Sequence, residues 1–219
     1  MYYVKFLFLS VFFLFLTACF KPNISDFKKV EPKFDMYKVF NGKFKGTGIV
    51  FDRNGLIIDS FVIDLDVLWE DPNSFSIKEK TIFSNKEVKE RSWIYKLKNN
   101  NEIEAGTDDK IGLNLGNDIV DVARGSIAGN ARYLNYVFRA KIVDKNSVVK
   151  DKKTKDSNEV ANLNNSVGND SSKQEIKTID LDVRDFLYMI DDNNLINRLY
   201  YFKFGIYAGE AVIFYSKVK

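Results

Sequence analysis

The residue types that most often carry acid–base and metal chemistry are nearly absent from this 219-residue chain. It contains no histidine and a single cysteine, Cys19. Histidine is the commonest general base and the commonest metal ligand among side chains. Ser-His-Asp, Cys-His and zinc chemistry are therefore excluded, and catalysis would have to use carboxylate, Lys, Tyr or Ser-Lys groups. We expect no metal and no cofactor.

Two pairs of adjacent carboxylates, Asp108-Asp109 and Asp191-Asp192, are the remaining candidates for acid–base catalysis. Both lie among turn-forming residues, where adjacent carboxylates are usually solvated or cap the turn. No segment spaces a nucleophile and a base as covalent catalysis requires. We therefore predict a protein that is not an enzyme and assign no catalytic residue. A carboxylate-dependent hydrolase is the remaining enzymatic alternative.

A second chemistry, lipid attachment, is indicated near the start of the chain. The apolar run Phe6–Leu16 has eleven residues and follows Lys5; as a helix it would span about 16 Å at roughly 1.5 Å per residue. This is shorter than the roughly 20 residues that cross a bilayer and fits a secretory signal. The run ends in Leu16-Thr17-Ala18-Cys19, which matches the bacterial lipobox. We predict that residues 1–18 are a removed signal peptide and that Cys19 is acylated, with fatty acids such as palmitate.

The proposed anchor determines the expected location and domain organisation. The alternative is an ordinary signal with a chance cysteine, but a lone Cys in an exported protein has no internal disulfide partner. Phe20, rather than Asp, follows Cys19, which favours the outer membrane, with the domain facing the periplasm. We expect a tether over 19–34 and a single β-barrel domain over 35–219. Residues 144–177 contain no aromatic residue, which predicts a disordered loop within that domain.

Most of the domain alternates apolar and polar residues with a period of two. In "IDSFVIDLDVLWE" (58–70) the odd positions from Phe61 to Trp69 are apolar, as in a half-buried strand. Asn54-Gly55, just before it, is a strong hairpin signal. Two short strands are predicted between Glu102 and Ala123. The other predicted strands are Phe75–Phe83, Lys89–Lys98, Ala131–Val143, Ile176–Ile190, Leu195–Phe204 and Gly209–Val218.

These elements predict a mostly β fold. Asp35 as an N-cap, with Met36, Val39 and Phe40 at helical spacing, predicts one short N-terminal helix. About ten antiparallel strands with short turns and no βαβ rhythm form a meander, and closure would remove its exposed edges. We predict an antiparallel up-and-down lipocalin-like barrel or half-barrel.

Three arginines and one aspartate have the same phase as large apolar residues in their strands, which means that they occupy the same alternate positions and point to the same face of the sheet. If those faces point inward, guanidinium groups line a cavity with an apolar body, which suits the carboxylate or phosphate head of a lipid. The alternative is that these charges lie at strand ends and reach water or a local Asp. The candidate ligand-binding residues are Arg91, Trp93, Arg132, Tyr136, Arg198, Phe202 and Asp59.

Five segments occur in one order along the domain. They are "FNGKFKGTGIVFDRNG" (40–55), "ERSWIYKL" (90–97), "DDKIGLNLGN" (108–117), "LDVRDFLYMIDDNNLINR" (181–198) and "KFGIYAGEAVIFY" (203–215). In this order they resemble DUF3833, a bacterial lipoprotein family of unknown function. The resemblance covers 35–143 and 177–219, and it predicts that residues 144–177 depart from a family pattern that is shorter there. It implies a proteobacterial lipoprotein and carries no established activity and no catalytic residues.

The predicted function is ligand binding at the cell envelope. We predict a lipid-anchored lipoprotein whose periplasm-facing barrel binds or carries an apolar, anionic, lipid-like or fatty-acid-like ligand. The alternative is a structural or interaction lipoprotein with a filled barrel and no ligand. The net charge of +3, without a compact Lys/Arg stripe, argues against nucleic acid. The expected partners are the membrane, through the anchor, and the ligand, whereas the sequence identifies no protein partner.

Overall fold

The computed structural model describes residues 22–98, 101–107, 119–120, 122–143 and 176–219. Within these ranges the chain consists mainly of β-strands, and both helices are single turns. The helices are a 3-10 turn at Ile24–Phe27 and α1 at Met36–Val39. The strands are β1 (Gly42–Asp52), β2 (Ile57–Asp71), β3 (Ser74–Phe83), β4 (Val88–Leu97), β5 (Glu102–Thr107), β6 (Ile119–Val120), β7 (Ala123–Ala128), β8 (Ala131–Val143), β9 (Ile176–Met189), β10 (Asn194–Lys203) and β11 (Ile206–Lys217).

The strands form one antiparallel sheet that closes on itself. Neighbours in sequence pair from β1 to β5 and from β8 to β11, and β5 pairs with β7. Both β6 and β7 pair with β8, β6 with its C-terminal part and β7 with its N-terminal part. Together they therefore count as one strand position in the barrel. The pairing of β1 with β11 closes a ring of ten positions. This closed up-and-down barrel confirms the predicted fold, and the half-barrel alternative does not apply.

The observed strands differ from the prediction at β7, which runs from Ala123 to Ala128, beyond the region where two short strands were expected, and at the β10–β11 turn. The strands predicted on either side of this turn, Leu195–Phe204 and Gly209–Val218, left residues 205–208 between them. The structure instead turns at Phe204-Gly205, and Lys203 pairs directly with Ile206. Both turn residues have positive φ, 52° and 75°, as required in a two-residue type I′ hairpin loop. The aromatic Phe204 in this position concealed the turn, because such loops usually contain Asn or Asp there.

One end of the barrel is plugged by α1 and the residues that follow it. The Asp35 side chain accepts a hydrogen bond from the Lys38 N–H, which confirms the predicted N-cap. The ring of Phe40 packs edge-on to Phe75 at 5.9 Å, and Trp69 Nε1–H donates to the Phe40 carbonyl at 2.8 Å. The buried core at this end includes Val39, Phe40, Phe44, Val67, Phe75, Ile103, Met189 and Leu195.

The segment before α1 also contacts the barrel. The Phe27 ring lies 5.3 Å from that of Tyr188 on β9. The Phe34 N–H donates to the Gly129 carbonyl at 2.7 Å, and the Phe34 side chain is buried. Residues 22–34, which belong to the range interpreted as a tether, are therefore in contact with the folded domain on its plugged side.

Several predictions concern residues that the structure does not describe. The signal peptide, Cys19, Asp108-Asp109 and residues 144–175 all lie outside the described ranges. At the edges of the last of these segments, Val143 pairs with Ile176. No helix in the described part of the chain is long and apolar enough to span a bilayer.

Candidate ligand cavity

A cavity of about 430 Å³ lies inside the barrel, between the plugged end and the opposite rim. Most of its lining is aliphatic or aromatic, as is typical of small-ligand sites, which occupy about 300–1,000 Å³. The side chains nearest the open rim include Phe51, Ile58, Phe83, Lys89, Phe138 and Leu181. The barrel is therefore packed at one end and hollow towards the other, unlike the filled barrel of the structural alternative.

Three buried polar residues form one wall of the cavity. Arg132 on β8 donates from Nη2 to Asp185 Oδ1 on β9 at 2.7 Å. Asn197 on β10 donates from Nδ2 to the same oxygen at 2.5 Å and to the Phe186 carbonyl at 2.9 Å. We call these three residues the Arg132 cluster. Since each member comes from a different strand, the cluster forms only when the three strands are paired.

The Arg132 cluster is almost inaccessible to solvent. The exposed fractions of Arg132, Asp185 and Asn197 are 4%, 7% and 6%. Burial alone would lower the pKa of Arg132, but the charge of Asp185 and the nearby phenols of Tyr95 and Tyr136 favour its cation, so its pKa is raised overall. Its buried Nε–H has no acceptor among the described residues. The guanidinium is therefore charged and still has hydrogen-bonding capacity to offer.

A second polar group lies on the opposite wall, on β3 and β4. Glu79 accepts from Trp93 Nε1–H at 3.2 Å and from the Thr81 hydroxyl at 3.3 Å. Arg91 Nη1 lies 3.9 Å from the same carboxylate, and its guanidinium lies over the Phe138 ring at 5.0 Å. We call this the Glu79 group. Its carboxylate is held by three neighbours, so it is oriented and partly neutralised.

Three buried tyrosines and the partly buried Tyr201 supply neutral hydroxyl groups to the same interior. Burial raises the pKa of Tyr201 to about 12 and raises the pKa values of Tyr95, Tyr136 and Tyr215 further above their ordinary value. All four line the cavity. They remain protonated at neutral pH and can donate hydrogen bonds without adding charge.

Comparison with known families identifies the chain. The family described as "Protein of unknown function (DUF3833)" matches residues 13–166 and 170–217. The chain belongs to the DUF3833 family. The match confirms the family predicted from the sequence, but it includes most of residues 144–177, where we expected a departure from the family pattern.

Solved structures similar to this DUF3833 chain share low identity with it. The S-type phycobiliprotein lyase CPES from Guillardia theta is 8% identical over 84% of this chain and 91% of its own, with a TM-score of 0.47. Rv2717c from M. tuberculosis is 8% identical over 87% of this chain and 100% of its own, with a TM-score of 0.48. A de novo designed fluorescence-activating β-barrel is 8% identical over 84% and 99%, with a TM-score of 0.36. No curated protein matches the chain.

The structure brings four of the seven predicted ligand-binding residues of the DUF3833 chain to the cavity. Arg91, Trp93, Arg132 and Tyr136 line it, and the rings of Trp93 and Tyr136 meet at 5.9 Å. Asp59 has the inward phase of Phe61 but lies at the rim, outside the lining. There its carboxylate accepts from the Ser84 hydroxyl at 2.7 Å, and this hydrogen bond lowers the pKa of Asp59.

Arg198 and Phe202 lie outside the cavity, so their predicted placement is wrong. Arg198 makes a bidentate ion pair with Glu210 at 2.8 Å, and 44% of its side chain is exposed. Phe202 is buried against Tyr207 and the Arg184 guanidinium. The sequence of β10 is apolar in both phases. The structure turns Leu195, Asn197, Leu199 and Tyr201 inward instead.

Polar residues that line the cavity were also missed, and for Glu79, Asp185 and Asn197 the sequence contains a signal. Glu79 has the phase of Ile77 and Thr81, and Asp185 has the phase of Val183 and Leu187. Asn197 shares the phase of Leu195 and Leu199. These two carboxylates and the amide alternate in step with apolar residues just as the arginines do, so the same pattern predicts that they point inward.

The candidate catalytic pair within the described residues belongs to a turn. Asp191 accepts from the backbone N–H groups of Asn193 and Asn194 and from the Asn194 amide, which lowers the pKa of Asp191. Asp192 pairs with Lys38 at 3.1 Å. Both are exposed, and neither lines the cavity. In the described part of the chain no group of three or more His, Cys, Asp or Glu side chains is placed to hold a metal.

Proposed function

We propose that this DUF3833 protein binds an apolar small molecule with one acidic head group, such as a fatty acid, inside the barrel. Arg132 carries the proposal. It is a charged guanidinium that lines a mostly apolar cavity, is 4% exposed and keeps a buried Nε–H without a described acceptor. A buried donor left unsatisfied costs on the order of 1–3 kcal/mol. A ligand oxygen beside this guanidinium would use that capacity.

The charges of the lining favour an acid. The lining contains three cations, Lys89, Arg91 and Arg132, and two carboxylates, Glu79 and Asp185. Lys89 also pairs with Glu87 at 3.8 Å. Burying a charge without a counter-charge is costly. An acidic ligand would lie among these cations, beside the Arg132 guanidinium, whereas a cationic ligand would be repelled by them.

The distribution of polar and apolar groups favours one ligand orientation. Arg132 and the Tyr95 phenol interact in the interior of the barrel, whereas the side chains nearest the rim are mainly apolar, among them Phe61, Phe83 and Phe138. An acidic head would therefore lie deep, beside Arg132, with its tail extending towards the rim. Since both lining carboxylates already accept hydrogen bonds, the proposal is one of binding and carriage rather than catalysis.

Competition between an acid and its ester tests the proposal directly. Palmitate and methyl palmitate are used to displace a fluorescent fatty acid from the full-length protein. A hydrogen bond to a charged group contributes about 1.5–3 kcal/mol, so palmitate should bind at least about tenfold more tightly than the ester. If neither displaces the probe, ligand binding is refuted. If both bind equally, the acidic head is refuted.

A paired substitution separates head-group recognition from folding. Arg132→Gln with Asp185→Asn removes both charges together, so neither is left buried alone. We expect this variant to lose the preference for the acid. The control, Arg198→Gln with Glu210→Gln, removes an ion pair on the outer face and should keep the preference. If both variants keep the same preference for palmitate over methyl palmitate, Arg132 is excluded as the residue that determines this preference.

We also propose that the protein is anchored through acyl groups on Cys19, in the outer membrane and facing the periplasm. The support is the apolar run that ends in Leu16-Thr17-Ala18-Cys19 and the Phe at position 20. Metabolic labelling with palmitate in a bacterial host should label the parent and leave Cys19→Ser unlabelled. Equal labelling of both would disprove acylation at this residue, and fractionation of the parent with the inner membrane would disprove the sorting.

A further inference from the structure

Two hairpins at the open rim expose large apolar side chains. In the β10–β11 hairpin, Phe204 is 90% and Ile206 is 69% exposed. In the β1–β2 hairpin, Leu56, Ile57 and Ile58 are 65%, 63% and 63% exposed. We call these five residues the apolar tips. Hairpin turns are normally rich in Gly, Asn, Asp and Ser, so five large apolar groups on adjacent turns are an unusual surface.

The apolar tips are neighbours and border the cavity. Strand β1 pairs with β11, and Asp52 lies opposite Gly209, so the two hairpins extend side by side from the same rim. Ile58 is itself part of the cavity lining, as are Phe51 and Ala208 next to the two turns. The exposed apolar surface is therefore continuous with the apolar interior.

The exposed charges within the two turns are cationic. Arg53 and Lys203 are exposed, and neither forms an ion pair with a described residue; Lys203 Nζ lies over the Phe204 ring at 5.5 Å. The nearby carboxylates bind the protein itself. Asp52 accepts from the Leu56 and Asn54 N–H groups, and Glu210 is held by Arg198.

We propose that the apolar tips dock on the surface of a phospholipid bilayer that contains anionic lipids. Apolar groups on a projecting surface bury themselves at the boundary between head groups and acyl chains, and flanking cations meet the lipid phosphates. Contiguous exposed apolar surface of this kind marks an interaction site. The cations in both turns favour a lipid surface as the occupant. Docking would place the cavity mouth against the bilayer. The docking proposal goes beyond the ligand proposal and does not depend on it.

The position of the tips relative to a bilayer can be measured with tryptophan and brominated lipids. Phe204→Trp places a reporter on the tips. Leu68→Trp is the matched control, because Leu68 is 66% exposed on β2 near the plugged end, about 36 Å along the strand from Ile57 at roughly 3.3 Å per residue. Emission of Trp69 and Trp93 is subtracted with the parent. The full-length protein is mixed with vesicles of phosphatidylethanolamine and phosphatidylglycerol carrying brominated acyl chains.

Docking predicts that the brominated vesicles quench the reporter emission of Phe204→Trp and shift it to the blue, while the reporter emission of Leu68→Trp changes little. Equal quenching in both variants, or quenching in Leu68→Trp alone, overturns the proposal, and so does the absence of quenching in Phe204→Trp. Residues 22–34 contact the plugged side, so attachment through residues before position 22 would favour quenching of Leu68→Trp, and stronger quenching of Phe204→Trp cannot come from it.

Further substitutions, each added to Phe204→Trp, distinguish this proposal from the ligand proposal. Ile57→Ser with Ile206→Ser should reduce the quenching of the reporter by more than half, as should Arg53→Glu with Lys203→Glu, whereas Leu68→Ser should retain it. Displacement of a fluorescent fatty acid in vesicle-free solution should be unchanged in all of them. If the tip and charge variants are quenched as fully as Phe204→Trp alone, docking is refuted whether or not the barrel binds a fatty acid.

Discussion

Asn197 donates from its side-chain amide to Asp185 Oδ1, and this oxygen is also the acceptor for Arg132. The amide thereby orients the carboxylate towards the guanidinium, and its second hydrogen bond, to the Phe186 carbonyl, fixes the amide itself. This arrangement satisfies the buried carboxylate while leaving part of the guanidinium available. A buried pair of this kind is often no more stabilising than an apolar pair, but removal of one partner is strongly destabilising.

The first prediction concerns that asymmetry. Arg132→Leu should lower the free energy of unfolding by about 3–5 kcal/mol, because it leaves the Asp185 charge buried and unpaired. Arg132→Leu with Asp185→Leu should regain most of the loss. Urea unfolding of the two variants measures both effects. As a control, Arg198→Leu removes a more exposed pair, in which 44% of the Arg198 side chain and 15% of the Glu210 side chain are exposed, and it should cost clearly less than Arg132→Leu. Equal losses in the single and double variants would show that the pair is not coupled.

The second prediction uses the two tryptophans as reporters. Trp93 lines the cavity, whereas Trp69 packs against Phe75 at 4.4 Å beside the plug. Addition of a fatty acid should therefore change the emission of Trp69→Phe, which retains Trp93, and leave that of Trp93→Phe nearly unchanged. Fluorescence titration checks this. A response confined to Trp93→Phe would place the ligand outside the cavity.

The third prediction concerns close packing of strands β7 and β8. A Cβ at Gly125 would collide with the Tyr133 carbonyl oxygen and lie 2.9 Å from Leu134 Cα. Gly125→Ala must displace backbone and should cost about 1–3 kcal/mol or more. Gly106→Ala is the control, because a Cβ there meets nothing within 4 Å, and its effect should stay within about 0.5 kcal/mol. Thermal or urea unfolding would refute the prediction if both variants behaved alike.

The fourth prediction concerns stability at alkaline pH. Burial raises the pKa of Tyr201 to about 12, above the value of about 10 in an unfolded chain. Below pH 10 both states are protonated and the full stability is present. As pH rises from about 10 towards 12, the unfolded state loses its proton first, so the free energy of unfolding falls.

Substitution separates the contribution of this phenol from those of Tyr95, Tyr136 and Tyr215. The free energy of unfolding of Tyr201→Phe should fall less steeply than that of the parent between pH 10 and pH 12. From pH 7 to pH 9 the difference in free energy of unfolding between the two proteins should stay constant. Urea midpoints measured across this range test the expectation. Identical slopes in the alkaline range would show that Tyr201 is not a buried, protonated phenol in the folded protein.

Much of the fold could be predicted because alternation and capping are local. The strand Ala131–Val143 was predicted with its observed bounds, and β3, β4 and β9 were predicted to within one residue at either end. The Asp35 N-cap follows from the residue itself and its neighbours in sequence. The inward placement of Arg91 and Arg132 was also predictable, because in β4 and β8 the residues of their phase are those that pack inside.

The amino-acid sequence by itself determined most of the strands, the absence of histidine and thiol chemistry within the barrel, and the family. Only the tertiary structure decided which face of β10 points inward, because both of its phases are apolar and the choice depends on Asn197 meeting Asp185 on the next strand. It also decided the partner of Arg132, which lies 53 residues away along the chain. Pairings and cavities arise from ring closure between distant strands, and a period of two along the sequence contains no information about which strands will meet.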